Sequence, residues 1–355
     1  MRSADTLETE TSNAFRLPWL SMLACLLMLA VVCVLSVING AAGLSLRGLL
    51  TALLDLIPFV NLDPSLTELH HNILMRIRLP RLVLGLLVGG SLGMAGASYQ
   101  GVFRNPLADP YLLGVSAGAG FGAVLVIGFG LDLGWGPFGS VPVAAFIGAI
   151  AAVSASSAIA RGSWSSPATL LLAGVAMASM FSAAQTYVLQ KLSQTRAREV
   201  LSWLFGQLNT SGWQQIWVLI PYMAVCGMVL LAHCRHLDVL RVGDDEARAL
   251  GLNPARSRLI IIAAASLLTA AAVSVSGLIA FVGLVVPHIV RILVNNNYRV
   301  ILPLSAVTGA AFLAFVDIGA RTLVAPSELP VGVVTAFIGA PFFASLLWWG
   351  RGIRP

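Results

Sequence analysis

Long apolar runs separated by short polar breaks dominate the chain. At about 20 residues per crossing they predict ten membrane-spanning helices, near residues 17–38, 80–101, 111–130, 140–160, 168–190, 213–233, 258–275, 278–294, 300–319 and 331–349. An even number of crossings puts both ends on one side. The thinnest division falls between 258 and 294, where Ser274-Val275-Ser276-Gly277 alone separates a pair of helices from one kinked helix. Glycines recur every fourth residue in two neighbouring spans: Gly85, Gly89 and Gly93, then Gly114, Gly118 and Gly122. Small residues at that spacing share a helical face and let backbones approach where lipid supplies no hydrophobic drive. Between the two stripes runs Arg104-Asn105-Pro106-Leu107-Ala108-Asp109-Pro110, so the pattern predicts a close-packed helix pair joined by a short, stiff, polar turn.

Composition sets the class. The chain is 58% hydrophobic and only 10% charged, against about 25% charged in soluble domains, which makes it an all-α polytopic membrane protein. Residues 1–16 carry Asp5, Glu8 and Glu10 and lack the basic start of a secretory signal, so they read as a cytoplasmic tail ahead of one transmembrane unit, 17–355. Cys25, Cys33, Cys226 and Cys234 lack metal-ligand spacing and read as free thiols. The expected surroundings are lipid and protein, with no nucleic acid.

With the N-terminus inside, most of the 21 Lys and Arg fall in cytoplasmic segments, as the positive-inside rule requires. Arg78 and Arg81, at the start of the second span, and Arg321, just past the ninth, fall on the opposite face. One arginine there would read as snorkelling or headgroup contact. Three on a face short of charge suit the carboxylates of a soluble partner, through steering and bidentate pairing.

A second polar island, 237–258, lies between the sixth and seventh spans. Asp244, Asp245 and Glu246 follow Gly243 and suit the positive end of a short helix, which Leu250-Gly251 would stop in the left-handed conformation. Ala247, Ala249, Leu250 and Leu252, rimmed by charge that includes Arg248, are expected to be exposed and to fill a groove in a soluble protein. The plainer reading is a capped connector, although such connections usually take about 2–8 residues.

Several chemistries find no residues here. The single lysine, Lys191, lies outside any phosphate-binding loop, so the chain has no nucleotide site of that kind. No acidic residue falls near the centre of a span, whereas ion-coupled carriers keep a carboxylate at membrane depth, which disfavours a secondary carrier. His70, His71, His233, His236 and His288 lack carboxylate or cysteine partners at ligand spacing, so no metal site is expected. Hydrolase motifs are missing too, and no catalytic residue is assigned. What is left is a membrane bundle driven from outside.

The chain resembles the FecCD family of permeases in type II ABC importers. The likeness rests on Arg78-Leu79-Pro80-Arg81; Asn105 to Pro110 with Leu113-Gly114-Val115-Ser116; Leu170 to Ala176; Gly243-Asp244 with Ala247 to Leu252; Gly283 to Arg291; and Glu328 to Ala336. This resemblance implies ten helices per permease and pairing with a second copy or a paralogue. It implies two ATPase subunits that bind ATP and Mg in place of any cofactor of this chain, and an extracytoplasmic binding protein. Substrates would be iron-siderophore complexes first, with haem or vitamin B12 as alternatives. It further implies that Arg78, Arg81 and Arg321 meet the binding protein and that Asp244, Asp245, Glu246, Ala247, Arg248, Ala249, Leu250, Gly251 and Leu252 sit on the ATPase. Asn105, Pro106 and Leu107, with the turn Ser166, Pro167 and Ala168, would form the cytoplasmic gate. Pro167 and Ala168 replace the hydroxyls of relatives, which would make this turn stiffer and more apolar.

Overall fold

The computed structural model describes residues 19–39, 68–133, 139–160, 167–208, 212–294 and 297–350. Its helices are α1 (Trp19–Ile38), α2 (Glu68–Ile73), α3 (Leu79–Val102), α4 (Val115–Phe129), α5 (Ser140–Ile159), α6 (Pro167–Gln190), α7 (Gln194–Leu204), α8 (Gln214–Ala232), α9 (Cys234–Val242), α10 (Asp244–Ala249), α11 (Pro254–Ser276), α12 (Val282–Leu293), α13 (Tyr298–Thr322) and α14 (Val331–Gly350). A π-helical turn, Leu74–Arg78, joins α2 to α3 in one rod, and a 3-10 turn, Pro110–Leu113, precedes α4. Seven of these segments are long and apolar enough to cross a membrane, and α4, α12 and α14 are shorter apolar helices. Together they account for the ten expected spans. The tail at 1–16 lies outside the described residues.

α3 is the buried axis of the bundle, packed by α11, α12 and α13. Its glycines explain how. A methyl on Gly89 would stand 2.3 Å from the Gly309 carbonyl oxygen, and one on Gly93 2.3 Å from that of Ser305, so α3 and α13 touch backbone to backbone. Gly118 and Gly122 make the same approach to α5, at 2.2 Å from the Gly148 oxygen and 2.1 Å from that of Ala144. The expectation that the two striped spans pack on each other is therefore corrected. α11 packs against both α3 and α4, and each stripe serves a different helix: α13, far along the chain, for the first, and α5, the next helix in sequence, for the second. Gly85 faces the Leu208 side chain, and Gly114 supplies a left-handed turn, φ +83°, ahead of α4.

The division at 277 is real. Gly277 turns the chain at φ +69°, residues 277–280 form no regular secondary structure, and Phe281 takes φ +70° before α12 begins. Tyr111 stabilises this segment by donating its hydroxyl to the Ile279 carbonyl at 2.8 Å and accepting the Ile279 N–H at 3.2 Å. Non-helical backbone at such depth needs a protein partner. The polar island at 237–258 also resolves differently from one isolated short helix: α9 follows α8 almost without a break, α10 follows Gly243, and α11 already starts at Pro254, capped by the Asn253 side chain. The amphipathic α7 is a further helix that hydropathy alone passes over.

Candidate functional site

Charged residues gather at the two ends of α3. At the Arg81 end, Asp317 of α13 is 2% exposed and holds two arginines. Arg81 donates Nε to Asp317 Oδ1 at 3.0 Å and Nη1 to the Glu328 carboxylate at 3.0 and 2.9 Å. Arg321, one turn beyond Asp317, pairs with its Oδ2 at 3.0 Å. Arg78 donates to the Val37 and Ile38 carbonyls at 2.6 and 3.2 Å, while Arg321 reaches the Ser36 and Asn39 carbonyls at 3.2 and 3.3 Å. Two of the three arginines thus cap the last carbonyls of α1, where a cation complements the helix dipole.

The three arginines do share one face, beside a cavity of about 550 Å³ that Glu328 also lines. They are not the open, outward cations that the sequence predicts. Arg78 and Arg81 are buried, and carboxylates of this chain already hold Arg81 and Arg321. The reason is desolvation: a guanidinium taken out of water persists where acceptors surround it. Glu328, 45% exposed, is the most accessible member.

At the opposite end of α3 the chain leaves the helix through Arg104, a non-glycine residue at φ +52°. Asn105 then accepts the Leu107 N–H on its side chain at 2.9 Å, an Asx turn that stiffens the connector. Pro106 and Leu107 are exposed and Asn105 is half-buried. Asp109 caps the following turn by accepting the Tyr111 N–H at 2.8 Å, and burial pushes its carboxyl up to about 6 despite that bond. Of the second turn expected at the gate, Ser166 lies outside the described residues, Pro167 opens α6, and Ala168 is exposed.

α10 stands against this end. Asp244, its first residue, binds Arg258 of α11 through both oxygens, at 2.8 and 2.5 Å, and also binds Arg104. The hydrogen bonds from Arg258, then its charge and that of Arg104, hold the Asp244 carboxyl below its usual range against the opposing effect of burial. Asp245 pairs with Arg248 at 2.6 Å, Glu246, Ala249 and Leu250 are exposed, and Gly251 ends the helix at φ +81°. Leu252 is half-buried. Ala247, expected to be exposed, is fully buried, because the Asp244 anchor turns that face of the helix onto the bundle. Sequence reasoning named neither Asp317, Arg104 nor Arg258 as site residues. Arg104 directly before Asn105-Pro106 was the one visible hint.

A third feature is an apolar cleft of about 590 Å³ between α7, the non-helical 277–280 segment and α14, lined by Phe205, Leu278, Ala280, Val333 and Phe337 among others. Among the described residues, no charged side chain lines it.

Residues 27–349 match the FecCD transport family. The chain is 46% identical over 272 residues to the cobalamin import system permease protein BtuC of Halobacterium salinarum, covering 76% of this chain and 72% of that one. It is 36% identical over 329 residues to the hemin transport system permease protein HmuU of Yersinia pestis, covering 92% and 95%. Other relatives are named for ferric citrate and molybdate. A solved structure described as a metal-chelate type ABC transporter in an inward-facing conformation superposes with a TM-score of 0.79 at 29% identity, over 92% of this chain and 98% of that one. With the motifs, the ten apolar helices and these matches in agreement, the chain belongs to the FecCD transport family and is a multi-pass ABC importer permease of the inner membrane.

Proposed function

We propose that this permease carries a bulky metal chelate, driven by separate ATPase subunits that bind ATP and Mg and fed by an extracytoplasmic binding protein. The observation that carries the reading is the apolar cleft: a wall without charge suits a large, shielded chelate better than a small oxyanion such as molybdate. With a second copy of this chain, or a paralogue, opposite it, that wall would line a path along which substrate slides without a tight site. Selection then rests with the binding protein. An iron-siderophore complex is the first choice. Cobalamin is a second reading, favoured by the 46% identical relative named for its import.

The remaining assignments follow the two ends of α3. α10, with Asp245, Glu246, Arg248, Ala249 and Leu250 outward and Leu250 71% exposed, is the element that seats on an ATPase. Asn105 to Leu107 and the Ser166 to Ala168 turn form the gate. The arginine face receives the binding protein, with Glu328 occupying Arg81 until an incoming carboxylate replaces it. The chain supplies no ATPase chemistry of its own.

The test is reconstitution. Proteoliposomes containing this chain, its ATPases and its binding protein should accumulate a ferric siderophore, hemin or cyanocobalamin only with internal or external MgATP at the ATPase face, and molybdate should not compete. Uphill accumulation by this chain alone would sink the reading, and molybdate uptake would sink the choice of a bulky chelate.

A further inference from the structure

We infer that Arg104 is a positioning residue that transmits movement of α10 to the Asn105–Leu107 turn, with Asp244 as a pivot between one fixed arginine and one exchangeable arginine. The inference rests on the coupling and gate roles proposed above.

The two arginines on Asp244 are held unequally. The Arg258 side chain, 1% exposed, grips both carboxylate oxygens from the first turns of α11. A buried bidentate pair of this kind is strong and geometrically fixed. Arg104, with 34% of its side chain exposed, meets one oxygen of Asp244 through a single terminal nitrogen. Its Nε donates to the Leu240 carbonyl at 2.6 Å, so the same guanidinium touches both α9 and α10. A one-point ion pair open to water forms and breaks at small cost.

What makes Arg104 a transmitter is its backbone. It occupies φ +52°, a conformation that non-glycine residues rarely adopt and that persists where the surroundings enforce it. The next residue, Asn105, is locked to Leu107 by the Asx turn. Between the guanidinium and the turn lies only the side chain of Arg104 itself, pinned at its Nε to the Leu240 carbonyl. A shift of α10 toward or away from the end of α3 either drags this stiff unit along or releases it, while Arg258 keeps α10 attached to α11. Arg104 touches no substrate in this account.

The experiment uses the assembled complex of this chain with its ATPase subunits. Cys25, Cys33, Cys226 and Cys234 are replaced by serine, and Leu107→Cys, at an exposed position, reports gate position through its rate of labelling by fluorescein maleimide with and without trapped ATP–vanadate. In this parent, trapping should change the rate several-fold. Arg104→Gln should bring the ratio close to one while ATPase co-purification and melting temperature stay at parental values, and Arg104→Lys, which keeps charge without the planar fork, should restore part of it. A glutamine variant with the full parental ratio overturns the inference. So does a loss of ratio accompanied by equal loss of thermal stability in both variants, since that marks a merely structural residue. A parent that labels equally in both states overturns the gate assignment itself, before Arg104 is touched.

Discussion

Both ends of α3 are held by an aspartate that grips two arginines, yet the two clamps are built for different work. Asp317 sits in the 25-residue α13, is 2% exposed, and joins Arg81 to Arg321, the second of which also caps α1. Asp244 heads a helix of 6 residues, is 21% exposed, and joins a buried Arg258 to a partly solvated Arg104. The glycine contacts are tightest along the middle of α3, where Gly89 and Gly93 press onto the backbone of α13 and a methyl on Gly96 would stand 1.9 Å from the Gly283 carbonyl oxygen. One on Gly101, nearest the Asp244 end, would instead meet side-chain atoms of Leu237 and Tyr298, at 2.8 Å. By its ion pairs, one end of the axis is welded and the other is jointed. On the proposed reading, in which cytoplasmic ATPases supply the force through α10, the joint lies where that force would enter.

The largest effect is expected at the buried clamp. Asp317→Ala removes a fully buried carboxylate from two largely buried arginines and should destabilise by about 3–5 kcal/mol, against about 2 kcal/mol for Asp244→Ala, where the carboxylate and Arg104 are partly open to water although Arg258 is not. Thermal unfolding of the detergent-solubilised protein measures both, and equal losses would erase the distinction between weld and joint. The glycines come next. Gly93→Ala forces a methyl onto a carbonyl and should cost about 3 kcal/mol, while Gly101→Ala should cost about 1 kcal/mol because side-chain tips can yield. Size-exclusion profiles and melting temperatures would show the order, and a reversal would contradict the backbone-contact account.

The smallest effect concerns Asp109, in the turn that follows the joint. Its folded carboxyl near 6 lies above the unfolded value of about 4, so ionising it opposes folding. That cost is absent below pH ~4, grows as pH rises toward ~6 and is constant above. Asp109→Asn keeps the acceptor for the Tyr111 N–H and should remove the pH dependence, gaining about 1 kcal/mol at neutral pH once solvent screening is allowed for. Melting curves between pH 4.5 and 7.5 that run parallel for both proteins would contradict the burial of this carboxylate. Asp244 behaves with the opposite sign. Its carboxyl is held low, so its contribution is present above pH ~4 and lost only as pH falls through the depressed folded value.

How much of this was legible beforehand can be judged from particular residues. The ten apolar segments, the interruption at Gly277 and the acid-headed helix closed at Gly251 were all readable in the chain, because each depends on neighbours within a few residues. Hydropathy records how much apolar surface one segment offers to lipid. Turn chemistry acts over about four residues. Segment identity and helix ends are therefore local properties. The partners of the glycine stripes and of the arginines are not. Gly89 meets Gly309, Gly118 meets Gly148, and Arg81 binds Asp317, 236 positions away. A stripe states that a face packs closely without naming the helix that covers it, and an arginine at a helix end reads the same whether it faces a visiting protein or a carboxylate of its own chain. Ala247 shows this at its smallest: apolar and rimmed by charge, it was expected to be exposed, and the ion pairs of Asp244 turned it inward. Long-range pairing depends on how the helices assemble around α3, and that assembly follows from the summed packing of the bundle, which no single window of residues encodes.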